Sequence, residues 1–505
     1  MITARTRRLY SSNPQRQSPD PVRLTLLLLA ALGLTVPPAA AAARPTLEPC
    51  SLADAAGVQA VEARCGRVRV PEDPAQPEGR ELALFVAVVP AVTARDPAEA
   101  LVVLAGGPGA AATEFYAGFQ RAFAPASRRL DVLLVDQRGT GRSARLDCPA
   151  ADATGAELSP VSARAASAEC LASLPRDPRL FTTSAAVRDL DRVREALGYE
   201  RLHLYGASYG TRVAQHYLRR YPARVATLVL DGVLPPRVQL GPDIPGNAQD
   251  ALDAALARCA AEPACANRFP DLAQRFDALR EQLAADPLEL ELEDPRSGRP
   301  APLRLGEAEL ALAVRLLSYD PAGVALLPLL VHEAYAGRPD GLAAQALAAV
   351  ESLSRLLAVG MHNAVVCTED APWIDVAALD REALERTYLG ARQVEALVAA
   401  CEPWPRGLLD EDLHAPLDSA VPALLLSGAH DPVTPPRYGE AALEGLTHGR
   451  HFVVPGQGHG VAAAGCLPRL LDEFFRGRDP QALDAECLQR LAPAPFFLDA
   501  TGPGP

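Results

Sequence analysis

The sequence predicts an α/β fold, a mostly parallel sheet covered by helices on both faces, with a large helical cap inserted into it. Three observations lead there. Short runs that are apolar throughout alternate with amphipathic helical stretches, the pattern of strands buried on both faces. That alternation stops near position 235 and resumes near 416, a gap of about 180 residues, where a crossover between neighbouring strands needs only about a dozen. Finally, a serine flanked by glycines stands between one of the strands and the helix that follows it.

The elements can be justified in chain order. Arg5, Arg7, Arg8, Arg16 and Arg23 precede an apolar run from Leu24 to Val36, followed by Pro37, Pro38 and alanines to Ala43. This is the pattern of a signal peptide over residues 1–43. The run has 13 residues, too few for a membrane span of about 20, so an exported protein, periplasmic or secreted, with no stable membrane insertion after cleavage is expected. Residues 82–90 read as a strand, and Leu101–Leu104 and Val132–Val135 as shorter buried ones. A helix from Ser184 to Leu197 places Val187, Leu190, Val193 and Leu197 on one face and leads through Gly198 to the strand Leu202–Tyr205. A helix from Tyr209 to Tyr221 ends at Pro222, and Val225–Leu230 is the next buried strand. Leucine- and alanine-rich segments at 251–261, 272–284 and 342–357 read as helices of the cap, with no strand among them. Strand character returns at 421–426 and 451–454, with helices at 438–446 and 461–475. The expected division is therefore a core over 44–234, a cap over 235–415 and the rest of the core over 416–505.

Composition narrows the chemistry. The 505 residues are 49% hydrophobic and 22% charged, and all 49 basic residues are arginine. Without lysine, Schiff-base chemistry and phosphate-loop nucleotide hydrolysis have no candidate residue. A net charge of −13 argues against nucleic acid or an anionic membrane as partner and favours a small or neutral substrate. The ten cysteines fall as near neighbours: Cys50 and Cys65, Cys148 and Cys170, Cys259 and Cys265, Cys367 and Cys401, Cys466 and Cys487. Five local disulfides would use them all, as suits an exported protein, although spacing alone leaves other connectivities open. No CxxC or HExxH pair is present, so no metal and no cofactor is expected.

Gly206-Ala207-Ser208-Tyr209-Gly210 follows a strand and opens a helix, the context that makes a GxSxG pattern a nucleophile elbow. A serine hydroxyl needs a base to take its proton and an acid to orient that base. Among nine histidines, His459 stands in the glycine-rich loop after the last strand, whereas His203, His216 and His451 belong to strands or a helix. Asp431, in the turn after the strand at 421–426, gives the chain order Ser, Asp, His. Asp231, ending the strand after the elbow helix, is its rival. Ala105-Gly106-Gly107-Pro108-Gly109 offers backbone N–H groups for an oxyanion. Gly107, with Gly106 next to it, and Tyr209 are the expected donors.

These residues carry a resemblance. Gly106-Gly107-Pro108-Gly109, Asp136-Gln137-Arg138-Gly139-Thr140-Gly141-Arg142-Ser143, Asp189-Leu190-Asp191 ahead of Arg194-Glu195-Ala196-Leu197-Gly198, Gly206 to Thr211, Asp431 and Gly458-His459-Gly460 are together similar to α/β-hydrolases of the proline iminopeptidase and tripeptidyl aminopeptidase group. The part after the cap, with its trailing Cys466, resembles the TAP-like C-terminal region. Ala105 stands where iminopeptidases commonly have histidine, so no proline preference follows. The resemblance implies a serine exopeptidase in which a cap carboxylate binds the free α-amino group of a peptide, and Glu369 and Asp370 are the expected carboxylates. The alternative is a carboxylic ester hydrolase on the same triad, because the cap alone decides which acyl compound fits. A dinucleotide enzyme built on Gly107 to Ala112 and Asp136 would leave Ser208, Asp431 and His459 unexplained, and a non-catalytic binding protein would have no use for an intact triad.

Overall fold

A computed structural model describes residues 44–93, 97–148, 159–293 and 298–503. The expected signal peptide lies outside them. Eleven strands are formed among the described residues: β1 (Glu48–Ala53), β2 (Ala60–Pro71), β3 (Glu81–Val89), β4 (Glu99–Leu104), β5 (Asp131–Val135), β6 (Arg201–Ala207), β7 (Val225–Asp231), β8 (Leu288–Glu293), β9 (Pro300–Leu305), β10 (Ala423–Gly428) and β11 (Gly449–Val454). Nine of them make one sheet in the order β1-β2-β3-β5-β4-β6-β7-β10-β11. The steps from β1 to β5 are antiparallel, and β5-β4-β6-β7-β10-β11 run parallel.

The sheet separates two apolar layers, and alternation along each strand decides which side chain enters which. Val102 and Leu104 pack with Val187 and Leu190 of the helix Thr183–Leu197 and with Val213 and Tyr217 of the helix Tyr209–Arg220. Leu101 and Val103 face the other way, toward Tyr116 and Phe123 of the helix Ala112–Phe123 and Leu470 and Phe474 of the helix Leu467–Gly477. Because both faces are covered, β4, β5, β7 and β10 are buried at every residue. At about 25 cal/mol per Å2 of apolar surface, such strands supply much of the driving force for folding.

Between β7 and β10 the chain leaves the sheet. Its helical insert over 307–401 contains the helices Glu307–Leu317, Pro321–Tyr335, Asp340–Leu356, Val359–Glu369 and Arg392–Cys401, and the longer of these share a third apolar cluster with Phe269, Phe276 and Leu279. The expectation that residues 235–415 contain no strand is corrected here. Leu288–Glu293 and Pro300–Leu305 pair as an antiparallel hairpin, in which Leu288, Leu290 and Leu292 pack against the cap cluster while Glu289, Glu291 and Glu293 are exposed. A strict period of two commits such a segment to a half-buried strand. The final helix also starts later than expected, at Leu467 rather than 461. Its would-be first turn is spent otherwise: the amides of Val461 and Ala462 donate to Asp231.

The sulfurs pair as sequence neighbours, Cys50–Cys65, Cys148–Cys170, Cys259–Cys265, Cys367–Cys401 and Cys466–Cys487. Five disulfides fit an oxidising, extracytoplasmic compartment. No helix among the described residues is long and apolar enough to cross a membrane.

Candidate active site

The carboxyl ends of β6, β7, β10 and β11 lie side by side, so the loops leaving these strands meet at one rim of the sheet. After β6 comes Ser208, with φ 54° and ψ −124°, a conformation costing about 1–3 kcal/mol in a non-glycine residue. Its surroundings enforce it. A Cβ on Gly206 would stand 2.4 Å from the Gly210 carbonyl oxygen, and one on Gly210 would stand 2.3 Å from that of Leu104. Only glycine lets strand and helix approach this closely, and the closeness holds the serine at the head of the elbow helix. The Ser208 amide donates to the Asp231 carbonyl at 2.9 Å, tying the elbow to the end of β7.

After β10, Asp431 is 2% exposed. Its Oδ1 accepts from the amides of Val433 and Thr434, both at 2.8 Å. Oδ2 accepts from Thr434 Oγ1 at 2.8 Å and pairs with His459 Nδ1 at 2.8 Å. Four contacts fix the carboxylate, which in turn fixes the ring with Nδ1 inward and Nε2 left for the rim. Burial acts to lower the His459 pKa, but the charge of Asp431, the hydrogen bond to it and the charge of Asp231 outweigh burial and leave the imidazole above its ordinary range. The ring lies over Gly232, where a Cβ would stand 3.0 Å from Cε1. No hydrogen bond joins Ser208 Oγ to the ring among the described residues; both are set at the same rim through residues 231 and 232.

Asp231 is occupied elsewhere. Its carboxylate accepts from Tyr205 Oη at 2.7 Å and from the amides of Val461 and Ala462 at 2.9–3.0 Å. It anchors the histidine loop from below and has no contact with Nδ1 in the hydrogen-bond network. The other histidines named from sequence are also taken: His203 by Thr227 and Glu99, His216 by Asp410, His451 by Ser427.

The loop after β4 runs beside the elbow, where a Cβ on Gly106 would meet Ser208 Cβ at 2.9 Å and Oγ at 3.5 Å. Gly107 follows, and Tyr209, first residue of its helix, has an amide with no acceptor within that helix. The cap grips this loop from the other side: Ala358 N donates to the Gly109 carbonyl at 3.0 Å, and His362 Nδ1 lies 3.2 Å from that of Pro108.

Residues 99–287 match the family model described as alpha/beta hydrolase fold, and residues 386–487 the one described as TAP-like protein. Carboxylesterase B of Mycobacterium tuberculosis is 30% identical over 409 residues, covering 74% of this chain and 76% of that protein. The chain belongs to the α/β hydrolases with a TAP-like C-terminal region. This hydrolase is also 27% identical over 465 residues to the serine protease Hip1 of Mycobacterium tuberculosis, covering 84% of this chain and 87% of that one. Tripeptidyl aminopeptidase of Streptomyces lividans is 31% identical over 192 residues, covering 34% of this chain and 36% of that one. The relatives make it a member of a serine hydrolase and peptidase group.

In this hydrolase, the two acids expected to meet a substrate amine are placed differently. Glu369 and Asp370 are both 0% exposed, beneath the elbow helix. Asp370 takes Arg212 as a two-pronged ion pair at 2.8 and 3.0 Å and also accepts from Leu240 N at 2.8 Å. Glu369 accepts from Thr183 N at 2.7 Å and Thr183 Oγ1 at 2.8 Å, and the same hydroxyl lies 2.6 Å from Tyr209 Oη. With Arg212 already committed to Asp370, burial dominates at Glu369 and pushes its pKa up to about 7 against the opposing pull of Arg212 and Thr183. The expectation that these carboxylates receive the substrate's α-amino group is therefore corrected. They clamp Tyr209 and Arg212, one turn apart on the elbow helix, to the cap helix Val359–Glu369.

Sequence reasoning missed two neighbours of the imidazole. Thr434 Oγ1 bridges Asp431 and the ring, 3.2 Å from Nδ1, and its place three residues after the acid was the available signal. Tyr319 of the cap accepts from His459 N through its carbonyl at 2.8 Å and lays its ring edge-on to the imidazole, centroids 5.0 Å apart. Nothing in the local sequence distinguishes it from a helix-end tyrosine.

Proposed function

We propose that Ser208, His459 and Asp431 are the catalytic triad and that hydrolysis runs through a Ser208 acyl-enzyme. The observation carrying this reading is the Asp431–His459 pair set at the same sheet edge as the strained serine. Nε2 takes the Ser208 proton as Oγ attacks the substrate carbonyl, a contact that tightens as the complex forms. The Asp431 carboxylate stabilises the imidazolium. Gly107 and Tyr209 amides, with Gly106 adjoining, receive the oxyanion, each worth about 3 kcal/mol in the transition state. The imidazolium then protonates the leaving group, and water activated by the same ring releases the acid.

The substrate reading is a peptide cut near its amino end, releasing short fragments after export. It is supported by the likeness to tripeptidyl aminopeptidase and Hip1, not by an amine-binding carboxylate. A second reading, hydrolysis of small carboxylic esters, is favoured by the likeness to carboxylesterase B. Mass spectrometry of products from free and N-acetylated peptides, run beside small aryl esters, separates them. Cleavage confined to peptides with a free amino end is expected; equal cleavage of acetylated peptides, or turnover of esters alone, would remove the aminopeptidase reading.

A further inference from the structure

Arg315 lies in the cap helix Glu307–Leu317, one turn before Tyr319, whose carbonyl and ring both engage His459. Its guanidinium has no carboxylate within ion-pair range among the described residues. Nε is buried without a hydrogen-bond partner, and Nη2 makes only a long contact, 3.5 Å, to Tyr319 Oη. Two fully buried arginines are treated otherwise: Arg138 is forked onto Asp189 and Arg212 onto Asp370.

A second donor of the cap also lacks a partner. Tyr388 is 3% exposed, and its hydroxyl is buried with no partner. The Arg315 charge acts on the Tyr388 phenol, on His459 and on His362, three groups from separate segments. Arg315 Nη2 reaches Tyr319 Oη and the Tyr319 ring lies edge-on to His459, so a single side chain joins the guanidinium to the proposed base.

Arg315 is half-buried, and holding even part of a cation from water without an anion has a cost, to which the buried unpaired hydroxyl of Tyr388 adds its own. A planar guanidinium matches a carboxylate through two parallel N–H donors, and a phenol O–H supplies a third. The acids that could have offered the opposite preference, Glu369 and Asp370, are already spent on Arg212 and Thr183.

We propose that Arg315 and Tyr388 form a subsite that binds a carboxylate carried by the substrate close to the bond that is cut. The proposal rests on the hydrolase reading of Ser208, His459 and Asp431. The carboxylate belongs either to an acidic side chain or acyl group, or to the free carboxyl end of a short peptide.

The test compares kcat/KM on matched pairs: peptides with Glu or Gln flanking the cut, peptides with a free or amidated carboxyl end, and 4-nitrophenyl esters of monosuccinate and of its methyl ester. The wild-type protein is expected to prefer the charged member of at least one pair by roughly 10- to 100-fold. Arg315→Met should bring that ratio toward one, and Tyr388→Phe, which keeps the ring, should lower it by several-fold. The pair whose ratio collapses tells which carboxylate is read. No preference in the wild type, or ratios untouched by both variants, would overturn the subsite. Ser208→Ala separates the two layers: if it abolishes turnover while the wild type ignores charge, only the subsite fails, and if turnover survives it, the hydrolase reading fails.

Discussion

The rim of the sheet and the cap that faces it are built to opposite rules. At the rim every acidic group is satisfied: Asp431 has four contacts, and Asp231 holds Tyr205 and two amides of the histidine loop. In the cap, Arg315 Nε and Tyr388 Oη are buried without partners. A saturated network fixes geometry, which is what a proton relay needs, whereas an unsaturated one reserves its donors for something that arrives. On the proposed reading, the difference gives bond breaking to the sheet and choice of substrate to the cap.

The largest expected effect breaks the rim. Ser208→Ala should lower kcat by on the order of 10^4- to 10^6-fold with an unchanged thermal midpoint. Activity within tenfold of wild type would show that the rim does not carry the chemistry. Next, Asp431→Asn should cost about 10^3- to 10^4-fold in kcat, because an amide leaves the imidazole in the wrong tautomer. Asp231→Asn loses one acceptor for a buried amide or for Tyr205, worth about 1–3 kcal/mol, so stability should fall more clearly than turnover. If kcat instead collapses in Asp231→Asn and survives in Asp431→Asn, the two acids have exchanged roles.

The same pair sets a pH dependence. As the proposed base, His459 must be neutral to accept the serine proton, and its raised pKa places more of it in the charged form near neutrality. The acid limb of kcat/KM should therefore lie above the ordinary imidazole value of about 6.5. An acid limb below that value would mean that burial, not Asp431, dominates at the ring.

The rim was legible in the sequence because its constraints are local. Gly206 is dictated by Gly210 within the same elbow, and Asp431 and His459 each stand in a turn directly after a strand. The parallel strands were legible for a related reason, since burial on both faces leaves an unbroken apolar run. The cap was less so. Leu288–Glu293 carries a clear alternation that leucine- and alanine-rich neighbours masked. β1 and β2, at the antiparallel edge, mix exposed and buried residues and offer no such run. Glu369 and Asp370 read as an acidic turn after Cys367, because the cation that buries Asp370 stands 158 positions earlier, on the elbow helix. Arg315 and Tyr388 have the converse difficulty, as no pattern of residues announces that a partner is missing.

The smallest effect sharpens the boundary between the two regions, where Glu369 and Asp370 join cap to elbow. One arginine serves two buried acids, so Glu369 keeps its proton up to about pH 7 in the folded chain, against about 4.3 in an unfolded one. Between those values the folded state binds more protons than the unfolded state. The protonated carboxyl therefore supports the fold at mildly acidic pH, and that support is lost as pH rises through about 7, by on the order of 3 kcal/mol in all. Glu369→Gln mimics the protonated form and should flatten the fall in thermal midpoint between about pH 4.5 and 7, with little change at the acidic end. A slope that survives the substitution would put the proton elsewhere. A large loss of stability at pH 5 would mean that the clamp on Tyr209 needs the charged carboxylate, and the elbow would then depend on the cap for its electrostatics as well as for its packing.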